Sequence, residues 1–443
     1  MLQSAMATWQ YPSTITLSLP ACPVQASIHV PGSKSITNRA LLLAALADGE
    51  SRLLGPLHSE DTLYMTEALR HLGVTIAKES NGDLVVQGVN GAFSYPSGPL
   101  FIGNSGTTVR FLTAAAALAP EGATVELDGV ERMRERPIAD LLDALMQLGV
   151  YAKAVSGTGC PPVHIHGGGI PGGRCGLRGN VSSQYLSALL QAAPYAESDV
   201  DILIIGDLIS KPYVDITQSV MRSFGVEMEN ENYETLRVRA GQQYTAREYA
   251  IEADASNATY FLAAAAITGG TVTLENLGAG SIQGDVKFAE VLRSMGCGVE
   301  MGDKITVQGP KSLTAVDVDM TAIPDTAQTL AVLCAFADGQ SRITGISSLR
   351  VKETDRVAAI ATELRKLGAT VVEGTDTWMI TPPTGEIPAV SIDTYDDHRM
   401  AMSFAVATLK SDRITINNPG CVAKTFPDFW DKWTAAFNQS AGA

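Results

Sequence analysis

The sequence predicts an α/β fold made of six similar βαβαββ repeats. A helix ending in Leu-Gly-Val or a near relative recurs every 71 to 76 residues, at Gly73, Gly149, Gly225, Gly296 and Gly368. Recurrence at a nearly fixed spacing indicates repeated supersecondary units. Between the helices lie β-branched stretches with the period of strands, and this alternation is typical of α/β proteins.

Each repeat opens with small polar or charged residues at the predicted N-terminus of a helix. The six openings are Ser35–Arg39, Gly106–Arg110, Ser182–Gln184, Asp254–Asn257, Asp325–Gln328 and Asp397–Arg399. The predicted strands are Thr14–Leu19, Ala26–Val30, Leu84–Gln87, Thr124–Leu127, Val200–Ile205, Thr271–Leu274, Ile305–Val307 and Ser341–Ile346. Gly49 and Gly269 are expected to stop the helices before them. Most of the unusual polar residues are therefore predicted to lie at the N-terminal end of a helix.

At 443 residues the chain is too long for one core, which predicts two domains. Six repeats divide most simply into three and three. The polar stretch 241–248 precedes a break near residues 250–254. Periodicity alone leaves open whether a second break falls at Pro31-Gly32.

The composition is that of an ordinary globular protein, with 45% hydrophobic and 18% charged residues. A net charge of −15 argues against nucleic acid or an anionic membrane as partner but leaves small anionic ligands possible. The six cysteines are scattered and are expected to be buried thiols of a reducing compartment. Residues 1–10 show no signal peptide and no run is long enough to span a membrane, so the predicted location is cytoplasmic.

Two glycine-bearing turns are candidate anion sites. Lys34 lies in Gly-Ser-Lys-Ser between a predicted strand and helix, where helix N–H groups and the lysine charge favour an anion. The segment 103–108, Gly-Asn-Ser-Gly-Thr-Thr, is a second such entry, and Gly106 would let backbone approach a ligand. A solvated lysine and an ordinary N-cap are the alternatives.

Two charged clusters occupy equivalent points in the second and fifth repeats. One holds Arg132, Arg134 and Arg136, and the other is the run 352–356, Lys-Glu-Thr-Asp-Arg. A charge run is usually a solvated face, but Lys211, Lys287 and Lys424 fall at similar points in three other repeats.

Three helix openings begin with aspartate, and a carboxylate there is most often only a cap. Asp254, Asp325 and Asp397 stand at these positions. A functional Asp325 would have to face anion-binding arginines, where it could move a proton. His164 and His166 lack cysteine or carboxylate partners at zinc-like spacing, so no metal site is expected.

Nine segments, in order along nearly the whole chain, resemble the enolpyruvyl transferase family on its shikimate 3-phosphate branch, the 5-enolpyruvylshikimate-3-phosphate synthases. They are Pro31–Arg39, Gly103–Thr107, Glu135–Pro137, Ser182–Gln184, Ser210–Tyr213, Ile323–Asp325, Arg350–Arg356, Asp397–Met402 and Ala423–Asp428. The resemblance implies an inside-out α/β barrel of two domains, each of three βαβαββ units, that close over substrates. It places residues 32–252 in an N-terminal lobe, and residues 1–31 plus 253–443 in a C-terminal lobe.

The resemblance also implies the substrates and their binding residues. Those for shikimate 3-phosphate would be Lys34, Ser35, Arg39, Ser182, Ser183, Gln184, Ser210, Tyr213, Asp325, Ser348 and Lys352. Those for phosphoenolpyruvate would be Lys34, Asn104, Gly106, Arg136, Gln184, Glu353, Arg356, His398, Arg399 and Lys424. Asp325 and Glu353 would transfer protons with help from Lys34. No cofactor, metal, nucleic acid or membrane is implied, and the protein is expected to be a monomer.

The implied reaction explains these residue types. The sugar 5-hydroxyl adds to C2 of phosphoenolpyruvate while C3 is protonated, and the tetrahedral intermediate then expels phosphate. Planar arginines suit the carboxylate and phosphate of this substrate. Protonation at C3 requires an acid and its conjugate base, and closure excludes water.

Three positions depart from the family pattern. Ser348 stands where many members have Asn, Phe111 where Pro is common, and Ser105 where Ala is frequent. The last two lie on the helix that begins near Gly106, at the site that glyphosate occupies in this family. We therefore expect glyphosate as a possible inhibitor, with an altered affinity of unspecified direction.

Two other functions compete with this interpretation. The sister transferase acting on UDP-N-acetylglucosamine typically has Lys-Asn in place of Lys34-Ser35 and a reactive loop cysteine, whereas no cysteine lies between Cys22 and Cys160 here. A six-unit array could instead be a non-enzymatic clamp or scaffold, but the acidic composition gives a DNA clamp little support.

Overall fold

A computed structural model describes residues 9–21 and 23–437, together with the backbone of 441–442. The predicted absence of a signal peptide concerns mainly residues 1–8, which lie outside that part, as does Cys22. The described residues form two compact units. The N-terminal unit is Gly32–Ile251, and the C-terminal unit combines the residues up to Pro31 with those from Glu252 onward. No helix in the described ranges is long and apolar enough to cross a bilayer.

Twelve α-helices alternate with strands along the described chain, two in each repeat. Those of the N-terminal unit are α1 (Lys34–Leu46), α2 (Glu60–His71), α3 (Gly106–Ala115), α4 (Ala139–Gln147), α5 (Ser183–Ala192) and α6 (Lys211–Ser223). Those of the C-terminal unit are α7 (Ala255–Thr268), α8 (Phe288–Ser294), α9 (Ala327–Cys334), α10 (Arg356–Lys366), α11 (His398–Ala407) and α12 (Phe429–Phe437).

The N-terminal unit contains three four-stranded sheets, one for each repeat. In sheet order they are Glu248–Ala250, Glu50–Leu54, Leu84–Gln87, Thr75–Lys78; then Leu100–Phe101, Thr124–Asp128, Val163–His166, Ala152–Ala154; then Gly173–Arg178, Val200–Ile205, Thr235–Val238, Met228–Glu231. In each, the first two strands are parallel and the others antiparallel. The last strand of the unit, 248–250, thus completes the sheet of its first repeat.

The C-terminal unit repeats this plan with three more four-stranded sheets. They are Gln25–Ile28, Thr271–Leu274, Ile305–Gln308, Gly298–Met301; then Asp317–Asp319, Ser341–Thr344, Thr377–Thr381, Thr370–Glu373; then Val390–Ile392, Ile414–Asn417, Thr14–Leu17, Ala441–Gly442. A short parallel pair, Leu313–Thr314 with Ala337–Asp338, is added. Two of these sheets contain strands from the start of the chain. The predicted α/β class with βαβαββ repeats is confirmed.

The first helix of each repeat lies in the interior of its unit. In the C-terminal unit α7, α9 and α11 pack against one another, and in the N-terminal unit α3 packs against α1 and α5. Every residue of α3 and of α11 is buried. Since a helix that is buried on all sides offers few places for polar side chains, charged residues can meet a ligand only where these helices begin.

The second helix of five repeats ends at the predicted glycine. The φ angles of Gly73, Gly149, Gly225, Gly296 and Gly368 lie between +88° and +95°, a region that costs glycine nothing. The residue after each glycine donates its N–H to a carbonyl of the last turn, as Val74 does to Leu69 at 3.1 Å. This is the Schellman helix ending, and it explains why the sequence repeats there.

Several predicted boundaries differ from the structure. Helix α1 ends at Leu46 with Ala47 as its extended C-cap, so Gly49 lies beyond the helix and does not stop it. Gly269 does cap α7, with φ of +73°. The strand predicted to reach Leu19 ends at Leu17, and the one predicted to reach Ile346 ends at Thr344, where a 3-10 turn follows.

Candidate active site

Several predicted site residues of the N-terminal unit lie at the N-termini of helices. Ser33 and Ser182 are the N-caps of α1 and α5, and their side chains accept backbone N–H groups at 3.5 and 3.3 Å. Lys34 and Ser183 are therefore the first residues of those helices. Ser210 precedes α6 with a φ of +56°, a left-handed conformation that is uncommon for serine.

Lys34 is held by a carboxylate that the sequence analysis did not identify. Its Nζ lies 3.2 Å from Oδ2 of Asp61, whose side chain is 1% exposed. Asp61 is in the first turn of α2, and its backbone carbonyl accepts a hydrogen bond from the hydroxyl of Thr108 on α3. The position of Lys34 is thus fixed from a neighbouring helix of the same repeat.

Arg39 is buried and joins three helices of the N-terminal unit. Its Nε donates to the Thr217 hydroxyl on α6 at 2.8 Å, and its Nη2 donates to the Ser187 hydroxyl on α5 at 3.2 Å. The carbonyls of Ser35 and Tyr213 accept two further bonds. Burial lowers the pKa of Arg39 to about 10. Two residues predicted to bind the sugar phosphate therefore meet Arg39 through their backbones.

Beneath Arg39 lies Phe111, one of the positions that depart from the family pattern. Its ring is fully buried, and its centroid is 5.1 Å from the guanidinium carbon of Arg39. A cation over an aromatic face is attracted by the ring quadrupole. Phe111 therefore contacts a residue predicted to bind shikimate 3-phosphate, although it belongs to the Gly106 helix.

Of the three clustered arginines, only Arg136 is buried and joined to a predicted site residue. Its Nη1 donates to the backbone oxygen of Asn104 at 2.9 Å and to the Asn104 side-chain oxygen at 3.0 Å. Arg132 pairs with Glu135, and Arg134 pairs with Asp128. The solvated-face interpretation is thus correct for two of the three arginines.

Gly106 makes room for this arginine. A Cβ atom at position 106 would lie 2.5 Å from Nη2 of Arg136 and 2.9 Å from Nη1 of Arg110. Because such distances are well inside van der Waals contact, any side chain there would move the guanidinium groups.

In the C-terminal unit, Asp325 faces the arginines, as a functional role requires. It lies inside a 3-10 turn, Pro324–Thr326, that leads directly into α9, and the N-cap residues of these two elements are Ile323 and Thr326. Its carboxylate oxygens are 3.0 Å from Nη2 of Arg399, 3.4 Å from Nη1 of Arg356 and 3.6 Å from Nζ of Lys352. Asp254 and Asp397, by contrast, do accept the N–H groups of their helices.

Arg356 connects this carboxylate to two others. It lies 2.9 Å from Glu353, and its Nε donates to Asp397 at 2.7 Å. Its side chain is 1% exposed. Burial alone would lower the pKa of Arg356, but the carboxylates of Asp397, Glu353 and Asp325 outweigh it and raise the pKa above its usual value. The arginine is therefore a permanent cation.

The remaining predicted residues of this unit lie around Glu353 and Asp397. Nζ of Lys424 is 3.9 Å from Glu353, and Nδ1 of His398 is 3.5 Å from Asp397. Ser348 is buried in the 3-10 turn Ser347–Val351, just ahead of Lys352. Four cations and three carboxylates thus meet here, leaving one net positive charge, which suits an anionic ligand.

No group of three or more His, Cys, Asp or Glu within the described ranges could hold a metal ion. His164 instead pairs with Glu126, and His166 lies against the ring of Tyr151. Of the cysteines that the structure describes, Cys175, Cys297, Cys334 and Cys421 are buried, while Cys160 is partly exposed.

The fold and this arrangement of charges define a class, the enolpyruvyl transferases of two-domain, inside-out α/β architecture. The chain is similar to a solved EPSP synthase from Acinetobacter baumannii, with a TM-score of 0.79 at 27% identity, covering 97% of this chain and all of that one. Structural likeness of that extent supports the fold class.

Sequence comparison narrows the class to one family. The model for EPSP synthase (3-phosphoshikimate 1-carboxyvinyltransferase) matches residues 20–433, and the chain belongs to that family. It is 49% identical to the chloroplastic 3-phosphoshikimate 1-carboxyvinyltransferase of Petunia hybrida, over 97% of this chain and 86% of that protein. It is 50% identical to the 3-phosphoshikimate 1-carboxyvinyltransferase of Herminiimonas arsenicoxydans, over 95% and 96% of the two chains. The family resemblance predicted from the nine segments is confirmed.

Proposed function

We propose that this chain transfers the enolpyruvyl group of phosphoenolpyruvate to the 5-hydroxyl of shikimate 3-phosphate and releases phosphate, a step of aromatic amino acid biosynthesis. Family membership supports the reaction. The observation that supports the mechanism is the contact of Asp325 with Lys352, Arg356 and Arg399. These contacts support our assignment of Asp325 as a proton-transfer group next to an anion-binding site.

The N-terminal unit would supply most contacts to shikimate 3-phosphate. Three of its residues, Ser182, Ser183 and Gln184, begin one helix, where N–H groups favour a phosphate. The rest of the set that the resemblance implies is Ser35, Arg39, Ser210, Tyr213, Asp325, Ser348 and Lys352. Arg39 is already bonded to four protein groups, which favours a role in shaping the site.

The arginines and lysines would bind phosphoenolpyruvate. Arg136, Arg356 and Arg399 offer planar forks for its carboxylate and phosphate, and Lys34 and Lys424 add point charges. Asn104 holds Arg136, and Gly106 leaves it space. Gln184, Glu353 and His398 are assigned here from the resemblance.

Two proton transfers are needed, and two carboxylates are available. In the addition step, the 5-hydroxyl loses its proton as its oxygen bonds to C2, and C3 gains a proton to become a methyl group. In the elimination step, that methyl loses a proton as the C2–O bond to phosphate breaks. We assign these transfers to Asp325 and Glu353, assisted by Lys34. Both carboxylates contact Arg356, so one cation orients the pair.

The decisive experiment mixes the protein with both substrates and measures phosphate release. Asp325→Asn is expected to lower kcat by roughly 100-fold or more, since a positioned acid or base contributes about 10² to 10⁴. Asp254→Asn is the matched control, because Asp254 stands at the equivalent opening of another repeat and its side chain caps the helix. Near-full turnover by Asp325→Asn or Asp325→Ala would refute the assignment.

The same assay separates the competing functions. Phosphate release from phosphoenolpyruvate with a UDP-sugar as acceptor, and none with shikimate 3-phosphate, would favour the sister transferase. Inertness with both acceptors would favour a scaffold. The domain boundaries and domain closure implied by the family stay predictions, as do the monomeric state and a cytoplasmic location. Sedimentation at micromolar concentration measures the oligomeric state directly.

Glyphosate binding also stays a prediction. Ser105 is the N-cap residue of α3, where its hydroxyl lies 2.7 Å from that of Thr108, and Phe111 packs under Arg39. Both features differ from the family pattern on the helix that begins at Gly106. We expect a glyphosate inhibition constant different from that of a relative with Pro in place of Phe111, and equal constants would contradict the expectation.

A further inference from the structure

The fourth repeat, which opens with α7, supplies none of the residues assigned to either substrate. Its first helix nevertheless contacts the start of α11, which carries Arg399, and Thr425, which directly follows Lys424. Arg399 and Lys424 are both assigned above to phosphoenolpyruvate. Both contacts come from a pair of side chains, Asn257 and Tyr260.

Tyr260 contacts Arg399 through its hydroxyl. Nη1 of Arg399 donates to the Tyr260 oxygen at 3.3 Å, while Nη2 donates to Asp325 at 3.0 Å. The guanidinium is therefore held from two sides, by a neutral oxygen and by a carboxylate. Burial raises the pKa of Tyr260 to about 12, so the hydroxyl stays neutral and adds no charge to the site.

Tyr260 also contacts the segment that follows Lys424. Its ring meets the ring of Phe429 edge-on, with centroids 6.0 Å apart. Asn257 donates from Nδ2 to the carbonyl of Thr425 at 3.2 Å, one residue after Lys424. Asn257 is 1% exposed, so no solvent could replace that bond without a rearrangement.

Asn257 and Tyr260 are three residues apart on α7 and so lie on the same face of the helix. One face of α7 therefore fixes both Arg399 and the Lys424 segment. Because α7 is buried in the unit core, its position is set by packing and does not depend on a ligand.

We infer that Asn257 and Tyr260 are positioning residues for phosphoenolpyruvate, which act by holding Lys424 and Arg399 where the anion binds. This inference rests on the proposed function, in which those two cations contact that substrate. It gives the fourth repeat a role in the reaction without any contact to the reacting atoms.

The test is a comparison of two buried tyrosines. Tyr260→Phe removes the oxygen that Arg399 uses and keeps the ring that packs on Phe429. Tyr244→Phe is the control, since that tyrosine is equally buried and its hydroxyl donates to a backbone carbonyl, that of Gln191, at 2.9 Å. KM for each substrate, kcat and Tm are measured for both variants.

We expect Tyr260→Phe to raise KM for phosphoenolpyruvate about three- to tenfold, the range that the net loss of one ordinary hydrogen bond gives. KM for shikimate 3-phosphate should not change. Both variants should lower Tm by a similar amount, because each removes one buried hydrogen bond. Tyr244→Phe should change neither KM. Asn257→Ala provides a second, independent variant, for which we expect the same selective rise through Lys424.

A double-mutant cycle with Arg399→Lys distinguishes positioning from a general structural effect. A lysine at 399 lacks the fork that reaches both Tyr260 and Asp325, so Tyr260→Phe should have little further effect in that background. Equal effects of Tyr260→Phe and Tyr244→Phe on KM for phosphoenolpyruvate, or full additivity in the cycle, would overturn the positioning inference and leave the proposed function intact. If Arg399→Lys leaves KM for phosphoenolpyruvate unchanged, the proposed function of Arg399 is overturned, and the inference with it.

Discussion

Adding one methyl group at Gly106 should weaken phosphoenolpyruvate binding through Arg136. The new Cβ would lie 2.5 Å from Nη2 of Arg136, whereas ordinary contact begins near 3.4 Å, so the guanidinium must move by about 0.9 Å. It cannot do so freely, because its Nη1 is bonded twice to Asn104. A misplacement of about 1 Å in a positioning group can cost about 100-fold. We therefore expect Gly106→Ala to lower kcat/KM for phosphoenolpyruvate by 10- to 100-fold.

The assay is steady-state phosphate release with each substrate varied in turn. KM for shikimate 3-phosphate should change little, because its predicted contacts begin other helices. Gly98→Ala is the matched control, since a Cβ there meets no atom within 4 Å and the backbone is not left-handed. The stability of the Gly106→Ala variant should be preserved, because Gly106 lies in α3 and alanine favours a helix more than glycine does. A KM for phosphoenolpyruvate within twofold of the unsubstituted protein would refute the steric argument.

Three further substitutions test other parts of the structure. Asp61→Asn should lower kcat about tenfold with Tm little changed, because Lys34 loses the carboxylate that fixes its position. An unchanged kcat in this variant would show that the Lys34–Asp61 pair is only structural. Asp201→Asn should lower stability to denaturant at neutral pH, because hydrogen bonding to Arg237 across the sheet lowers the pKa of Asp201. That contribution is present above the unfolded pKa near 3.8 and is lost as pH falls through the folded value, so the two proteins should converge in acid and a constant difference would contradict the pairing. Gly296→Ala should cost about 1 kcal/mol in urea unfolding from backbone strain alone, since its φ is +95° and no atom lies within 3.4 Å of the new Cβ; an unchanged midpoint would contradict that reasoning.

The repeat architecture could be predicted because its signal is local. A helix that ends in the Schellman geometry needs glycine at one position, so the glycine recurs wherever the ending does. The polar helix openings are equally local, since N-caps and first-turn residues follow one another in sequence. The alternation of strands and helices then fixes the α/β class.

The site could be predicted only in part, because its contacts join distant positions. Asp61 is 27 residues from Lys34, and no spacing marks the pair. Likewise, Arg136 binds Asn104 because it directly follows the 3-10 turn Glu131–Glu135, whereas Arg132 lies inside that turn. Sequence alone also could not separate Asp325 from the capping aspartates. That distinction depends on the turn Pro324–Thr326, which contains Asp325, whereas Asp254 and Asp397 are N-cap residues.

The pairing of the first strands sets the order in which the sheets can be completed during synthesis. The N-terminal unit is contiguous, so it can fold once the strand 248–250 has been synthesised. The strand 14–17 must wait for its partner, since Ile15 pairs with Ile416. At about 5 to 20 residues per second, the 166 residues between these points take roughly 8 to 33 s. During that interval the strand 14–17 has no sheet to join, so a strand that is synthesised among the first is placed only after the N-terminal unit can already have folded.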